Sequence, residues 1–137
     1  MARGGFFAVD SLRGVHVLVV DDERDCRDLL TAILEYAGAL VTAVGSVREA
    51  LGLMALIKPD AILADLLMED EDGFALIRQV RAFKPDDGGM VPAVAVSALA
   101  AEADRERARG AGFDAHVAKP LDPWELCRLI SALLSAG

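Results

Sequence analysis

The sequence has few features that would cross-link the chain or direct it into a membrane. Its two cysteines, Cys26 and Cys127, lie far apart and have no histidine or second cysteine at metal-ligand spacing. We therefore interpret both as reduced thiols that pack in the interior. No apolar run approaches the roughly 20 residues of a membrane-spanning helix. The apolar run nearest the start, residues 6–9, is shorter than the roughly 7 to 15 residues of a signal-peptide core. These absences predict a cytoplasmic domain that makes no contact with a membrane.

Basic residues are also scarce, and their scarcity excludes one class of partner. The 14 Lys and Arg residues are outnumbered by 22 Asp and Glu residues, which leaves a formal net charge of -8. Nucleic-acid affinity rests mainly on clustered Lys and Arg, so we expect no binding to nucleic acid. Apolar residues, in contrast, are abundant, at 54% of the 137 residues. Without a membrane span to hold them, they predict one domain with a large buried core.

Short aliphatic runs alternate with helical patterns along the whole chain. Continuous aliphatic runs are typical of strands that are buried on both faces, as in a parallel sheet. Two helix starts carry capping boxes, Ser46 with Glu49, and Asp122 with Glu125. The predicted strands span residues 15–20, 40–44, 61–64, 91–96 and 115–118, and the predicted helices begin near residues 24, 46, 73, 100 and 123.

This alternation predicts the fold class. Strands that alternate with helices form an α/β domain in which right-handed crossovers place helices over the sheet. We expect a single-domain, doubly wound sheet of five parallel strands in the flavodoxin-like order 2-1-3-4-5, with helices on both faces. Residues 14–136 are predicted to form this domain. Residues 1–13 show no periodicity and are predicted to be a flexible leader or linker.

An acidic group follows the first predicted strand, at Asp21, Asp22 and Glu23. Like charges this close are costly unless a cation neutralises them. Mg²⁺ fits such a site because it prefers hard oxygen ligands and takes only one or two protein carboxylates. The simpler alternative is that these acids only begin the next helix, where negative charge favours the helix dipole.

Three more reactive side chains follow other predicted strands. Asp65 follows the third strand, Ser97 the fourth and Lys119 the fifth. Taken singly, they read as a turn-forming aspartate, a helix-capping serine and a solvated lysine. The carboxyl ends of parallel strands, however, meet at one edge of the sheet, where ligands bind. Together with the acidic group, they indicate phosphoryl chemistry, with Asp65 as nucleophile and Ser97 and Lys119 contacting phosphoryl oxygens.

These motifs resemble, over roughly residues 14–136, the receiver domain of the two-component response-regulator family. The resemblance implies that Asp65 accepts phosphate from a histidine kinase or a histidine phosphotransfer domain, in a reaction that depends on Mg²⁺. It further implies that Asp22, Asp65 and the backbone carbonyl of Leu67 bind the ion directly, and that Asp21 binds it through water. Ser97 and Lys119 match the Thr or Ser and the Lys-Pro of the family.

Two positions depart from the family pattern. Receivers usually carry proline four residues after the acceptor, where this chain has Glu69. They commonly carry Tyr or Phe, which swings inward on phosphorylation, where this chain has His116. His116 is predicted to act as a switch residue with Ser97, and the alternative is a partly exposed histidine of an edge strand. The resemblance implies that phosphorylation shifts the face formed by the fourth helix, fifth strand and fifth helix.

The resemblance also bears on partners and leaves alternatives open. No further domain is contained in the 137 residues, so output is expected through contact, with a homodimer through the shifting face as one form. The chain resembles the C-terminal receiver of a hybrid sensor histidine kinase, and a free-standing regulator is the other option. Two other functions stay open, an unphosphorylated receiver-like binding module and a Mg²⁺-dependent phosphohydrolase. The phosphohydrolase needs an aspartate two residues after the nucleophile, where Leu67 stands, so we expect no enzymatic turnover.

Overall fold

Five parallel strands form the central layer of the structure, and five α-helices cover it. A computed structural model describes residues 11–69 and 71–136 of the chain. The strands are β1 (His16–Val20), β2 (Leu40–Val44), β3 (Ala61–Asp65), β4 (Ala93–Ser97) and β5 (Ala115–Ala118). The helices are α1 (Arg24–Tyr36), α2 (Val47–Ile57), α3 (Gly73–Arg81), α4 (Glu102–Ala111) and α5 (Pro123–Ala136), and a 3-10 turn spans Pro85–Asp87. No helix in these described ranges is long and apolar enough to cross a bilayer.

The sheet has the predicted strand order. Its strands run β2-β1-β3-β4-β5, and each neighbouring pair is parallel. The chain therefore winds outward in both directions from β1, and the order reverses between β1 and β3. In open α/β sheets, such a reversal opens a crevice at the carboxyl ends of the strands. The predicted fold class is confirmed, and the crevice lies where the reactive side chains were expected.

Alternate residues of each strand pack under different helices, as the pleat of a strand requires. In β1, Leu18 and Val20 pack on one face, in a buried cluster that includes Phe74 and Ile77 of α3. Val17 and Val19 pack on the opposite face, in a cluster with Leu30 and Leu34 of α1 and Leu126 and Ile130 of α5. Both faces are therefore covered, which explains why the strands read as unbroken apolar runs.

Two helices, α2 and α5, begin at the residues that the capping boxes predict. Ser46 Oγ accepts a hydrogen bond of 3.1 Å from the Glu49 amide at the start of α2. Asp122 Oδ1 accepts from the amides of Trp124 and Glu125 at the start of α5. Each bond satisfies a backbone donor that has no partner within its own helix.

Several boundaries differ from the prediction by a few residues, and two of these differences have a clear physical reason. Strand β4 begins at Ala93 rather than at residue 91, because Pro92 has no amide hydrogen to contribute to the sheet. The folded domain also begins earlier than residue 14. Leu12 is fully buried in the α1–α5 side of the core, and its amide donates to the Ala37 carbonyl at 2.8 Å. The predicted leader is thus too long at its end, and residues 1–10 lie outside the described part of the chain.

Helix α4 is attached to the core mainly at one end. Of its residues, all of which the structure describes, only Ala108 is buried. The Arg107 guanidinium lies 3.9 Å from the centre of the Phe74 ring. At the C-terminal end, Arg81 of α3 donates from Nε to the Gly112 carbonyl. The same guanidinium also donates to the carbonyls of Gly89 and Val91 and to the carboxylate of Asp114.

Candidate functional site

The crevice brings three of the predicted residues together. Lys119 Nζ, which follows β5, lies 3.0 Å from Asp65 Oδ2 at the end of β3. The same nitrogen lies 3.7 Å from Asp21 Oδ2, which follows β1. Residues that are distant in sequence therefore form one ionic group because their strands end at the same edge. The two carboxylates are almost fully buried, whereas Lys119 keeps some exposure.

Both carboxylate oxygens of Asp65 have donors. Oδ2 accepts from Lys119, and Oδ1 accepts from the Leu67 amide at 2.9 Å. Charged hydrogen bonds on two sides fix the plane of the carboxylate. The Leu67 side chain is 52% exposed beside it. The Asp65 carboxylate is thus fixed in orientation and charged within the crevice.

Lys119 stays positively charged at this site. Partial burial alone would lower the pKa of its amine, but the hydrogen bond and charge of Asp65, together with the charge of Asp21, outweigh this effect. The pKa of Lys119 therefore lies well above its ordinary value. An ammonium that cannot lose its proton near neutral pH is suited to hold a phosphoryl oxygen.

The carboxylates of the acidic group point in different directions. Carboxylate oxygens of Asp21, Glu23 and Asp65 all lie within 4.8 Å of one another. Asp22, which was predicted to bind the ion directly, lies outside this group, and its Oδ2 accepts from the Glu69 amide at 2.9 Å. Glu23 belongs to the acidic group that the sequence predicts, but it was not predicted to bind the ion. The feature of the sequence that could have pointed to it is its place three residues after the aliphatic strand.

The donor set fits a hard divalent cation. Asp21 is 1% exposed, and its Oδ2 has no hydrogen-bond partner among the described residues. A buried carboxylate oxygen without a donor is costly, and bound cations commonly remove such a cost. One ammonium cannot balance three neighbouring carboxylates. The oxygen-only set matches the preference of Mg²⁺.

The two predicted switch residues lie in different surroundings. Ser97 is fully buried at the end of β4, and its Oγ accepts from the Leu99 amide at 3.2 Å. Lys119 is joined to it through the backbone, since the Lys119 amide donates to the Ser97 carbonyl at 2.9 Å. His116 pairs with Ala95 in the sheet. The end of β4 and Lys119 are therefore joined by a backbone hydrogen bond.

The His116 imidazole is held neutral. Burial lowers its pKa from 6.5, and the positive charge of Arg105 lowers it further, against weaker opposing effects of the Leu99 backbone and Asp104. Both buried ring nitrogens lack a hydrogen-bond partner that meets ordinary geometry within residues 11–69 and 71–136. The side chain therefore behaves much like an apolar ring at this position.

Both cysteines are free thiols, as the sequence analysis expected. Cys26 lies beside the ionic group, and burial raises its pKa to about 11, with the negative charge of Asp21 acting in the same direction. Lys119 acts in the opposite direction but is outweighed. Burial also raises the pKa of Cys127. Thiols with raised pKa values are poor nucleophiles, so both cysteines serve packing.

Comparisons with known proteins agree with the geometry. The chain is 42% identical over 122 residues to the uncharacterized 14.6 kDa protein in the sodA1 3′ region of Leptolyngbya boryana, covering 89% of this chain and 92% of that protein. It is 37% identical to the transcriptional regulatory protein GltR of Pseudomonas aeruginosa, but its match spans only 50% of GltR, against 90% of this chain.

A solved structure extends the comparison to three dimensions. The crystal structure of the receiver domain of the sensor histidine kinase PA1611 of Pseudomonas aeruginosa has a magnesium ion coordinated in its active site cleft. It superposes with a TM-score of 0.81 at 31% identity, covering 89% of this chain and 98% of that one. The family model of the response regulator receiver domain matches residues 17–131. The chain therefore belongs to the response regulator receiver domain family of two-component signal transduction.

Proposed function

We propose that Asp65 is the phosphoacceptor of this receiver domain. The observation that supports it most is the pair of donors on its carboxylate, Lys119 Nζ at 3.0 Å and the Leu67 amide at 2.9 Å. They orient the side chain in a crevice that is otherwise acidic. Among the described residues outside the crevice, no carboxylate is paired with a lysine ammonium, which an incoming phosphoryl group requires.

The transfer follows from this arrangement. An Asp65 oxygen forms a bond to phosphorus while the bond from phosphorus to the histidine nitrogen of the donor breaks, and the imidazole leaves with that electron pair. The donor is a histidine kinase or a histidine phosphotransfer domain. Lys119 moves its hydrogen bond from the carboxylate to a phosphoryl oxygen, and Ser97 Oγ donates to another. Both contacts stabilise the charge that develops on the transferred group.

The proposed cofactor is Mg²⁺, held by Asp22, Asp65 and the Leu67 carbonyl, with Asp21 acting through water. When bound, the ion neutralises negative charge on the phosphoryl group and the carboxylates. The unpartnered buried oxygen of Asp21 supports a cation at this place. Asp22 must turn away from the Glu69 amide to take part.

We propose that the output is a change in the face formed by α4, β5 and α5. Ser97 draws the end of β4 toward the phosphoryl group, and His116 takes the place of the usual aromatic switch residue. The shallow anchoring of α4 supports such a change, since loosely packed elements change state most readily. Contact with a partner or a second copy through this face, in the cytoplasm and without nucleic acid, is part of the same proposal.

Enzymatic turnover is not part of the proposal. A phosphohydrolase places a general acid or base close to the nucleophile. Two residues after Asp65 stands Leu67, whose side chain cannot transfer a proton. Phosphate therefore leaves slowly, by attack of water alone. Both a hybrid kinase and a free-standing regulator are compatible settings for such a receiver.

Intact-mass measurement after incubation with acetyl phosphate and Mg²⁺ tests this function. We expect a gain of one phosphate, which disappears in Asp65→Asn and on removal of the metal with a chelator. Asp86→Asn, at an exposed site in the turn after α3, is the matched control and keeps full labelling. Equal labelling of the Asp65 variant removes Asp65 from the role. No labelling of the native chain, by acetyl phosphate or a phosphohistidine donor, favours the unphosphorylated binding module.

A further inference from the structure

Glu23 occupies the cap position of α1 without acting as a cap. A residue at this position usually accepts an amide hydrogen bond of the first helical turn with its side chain. Within the described residues, the Glu23 side chain makes no such bond. Its own amide donates to Asp21 Oδ1 at 2.9 Å, which fixes the backbone of the loop. The free carboxylate is directed to the crevice, where it lies within 4.8 Å of oxygens from Asp21 and Asp65.

The charges at this point are unbalanced. Three carboxylates, of Asp21, Glu23 and Asp65, face one ammonium, that of Lys119, so the group carries a net charge of about -2. An exposed glutamate has ample room to avoid this repulsion by pointing into solvent. Independently, Asp21 Oδ2 is buried and has no donor among the described residues. A divalent cation removes both the excess charge and the missing partner.

We propose that Glu23 is a direct ligand of the divalent cation while Asp22 is bonded to the Glu69 amide, so that Glu23 takes the place assigned above to Asp22. The Mg–O distance of roughly 2.1 Å allows ligand oxygens to lie up to about 4.2 Å apart across the ion. The Glu23 and Asp65 oxygens lie within 4.8 Å of each other, close to that limit, and Asp21 acts through water. Glu23 thereby supplies the second carboxylate of the site, beside Asp65, while Asp22 is bonded to Glu69. This inference rests on the cation site of the proposed function.

Metal binding without phosphorylation provides the test. Mn²⁺ is the probe, because it takes the same oxygen ligands and its aqueous paramagnetic resonance signal falls when it binds protein. Mg²⁺ affinity is then measured by competition. We expect Glu23→Gln to weaken Mn²⁺ binding roughly tenfold or more, the size that the loss of a group supporting a metal site produces. Asp25→Asn, which removes an equal charge from the first turn of α1, is the matched control and changes affinity by less than about threefold.

Glu23→Asp separates a ligand from a nearby charge. It keeps the charge but shortens the side chain by one methylene, so we expect it to weaken Mn²⁺ binding as well. Water-proton relaxation supplies a second measurement, since replacing a protein ligand by water raises the relaxation per bound Mn²⁺. Thermal unfolding of each variant shows whether it is folded. If Glu23→Gln is not folded, the Mn²⁺ affinity of Glu23→Asp alone decides whether Glu23 is a ligand.

The outcomes are distinguishable. If Glu23→Gln binds Mn²⁺ no worse than Asp25→Asn, or if Glu23→Asp binds like the native chain, Glu23 is not a ligand. Either result leaves the cation site itself intact. If the native chain binds neither Mn²⁺ nor Mg²⁺, the cation site of the proposed function fails together with this inference.

Discussion

Replacing Glu69 by proline is expected to strengthen Mg²⁺ binding. The family usually has proline at this position, and proline has no amide hydrogen. The bond from the Glu69 amide to Asp22 Oδ2, at 2.9 Å, therefore exists here because of the departure from the family pattern. It holds Asp22 outside the group of Asp21, Glu23 and Asp65 oxygens. Among the described non-glycine residues only Lys58 has a positive φ, so the sign of φ at Glu69 permits proline.

The size of the effect follows from the bond that the ion has to displace. A hydrogen bond to a charged group contributes about 1.5 to 3 kcal/mol when it is shielded from water. Asp22 is only half-buried and Glu69 is exposed, so we take the lower limit, about 1.5 kcal/mol. That corresponds to about a tenfold gain in Mg²⁺ affinity. Glu69→Ala keeps the amide and removes one exposed charge, so we expect it to weaken binding by less than about threefold.

Isothermal titration of Mg²⁺ into the native chain and both variants measures this difference. The two substitutions remove the same side chain and differ in whether the amide hydrogen remains. We expect Glu69→Pro and Glu69→Ala to move the affinity in opposite directions. If both lower it by a similar factor, the amide bond does not compete with the ion. Asp22 is then held by Glu69 in a geometry that already suits metal binding, and the reasoning is refuted.

Two further predictions concern the lifetime of the phosphoryl group and the switch position. Leu67→Asn is expected to lose phosphate faster after the donor is removed, because we expect Leu67 and Leu99 to hinder water from reaching the phosphoryl group and an amide to orient that water. Intact mass over time measures this, and slower loss contradicts it. His116→Phe is expected to flatten the fall in melting temperature below about pH 6.5. Because the pKa of His116 is lowered in the folded state, protonation of His116 disfavours folding. Its contribution to the free energy of unfolding is therefore complete above its ordinary pKa and is lost as the pH falls. An equal fall in melting temperature in the variant excludes His116 as the cause.

Much of the fold could be predicted because burial on both faces leaves a clear pattern. The aliphatic run before Asp65 gave the strand, and the end of that run placed the carboxylate at the sheet edge. Parallel order then brought Asp65 and Lys119 together across 54 residues of sequence. The capping residues Ser46 and Asp122 could also be predicted, because a cap depends only on local sequence.

Other features could not be predicted, because they depend on the path of loops. Leu12 is one leucine in a stretch without periodicity, and its burial results from the packing of α1 and α5. The bond from Glu69 to Asp22 joins residues 47 positions apart and depends on the course of the loop after β3. The direction of the Glu23 side chain is a choice of rotamer within an electrostatic field, and residue order does not specify it.

The contacts of Arg81 fix one end of α4 and leave the other end freer to move. The guanidinium binds the Gly112 carbonyl at the C-terminal end of the helix and fixes that end to α3. At the other end, α4 begins after Ala101, whose methyl side chain cannot cap the helix. When such a helix tilts about its fixed end, the displacement of each residue grows with its distance from that end. Over 10 residues, or about 15 Å, a tilt of α4 moves the Glu102 end far more than the Gly112 end. We therefore expect the displacement proposed at Ser97 to be detected by a partner mainly at the Glu102 end of α4.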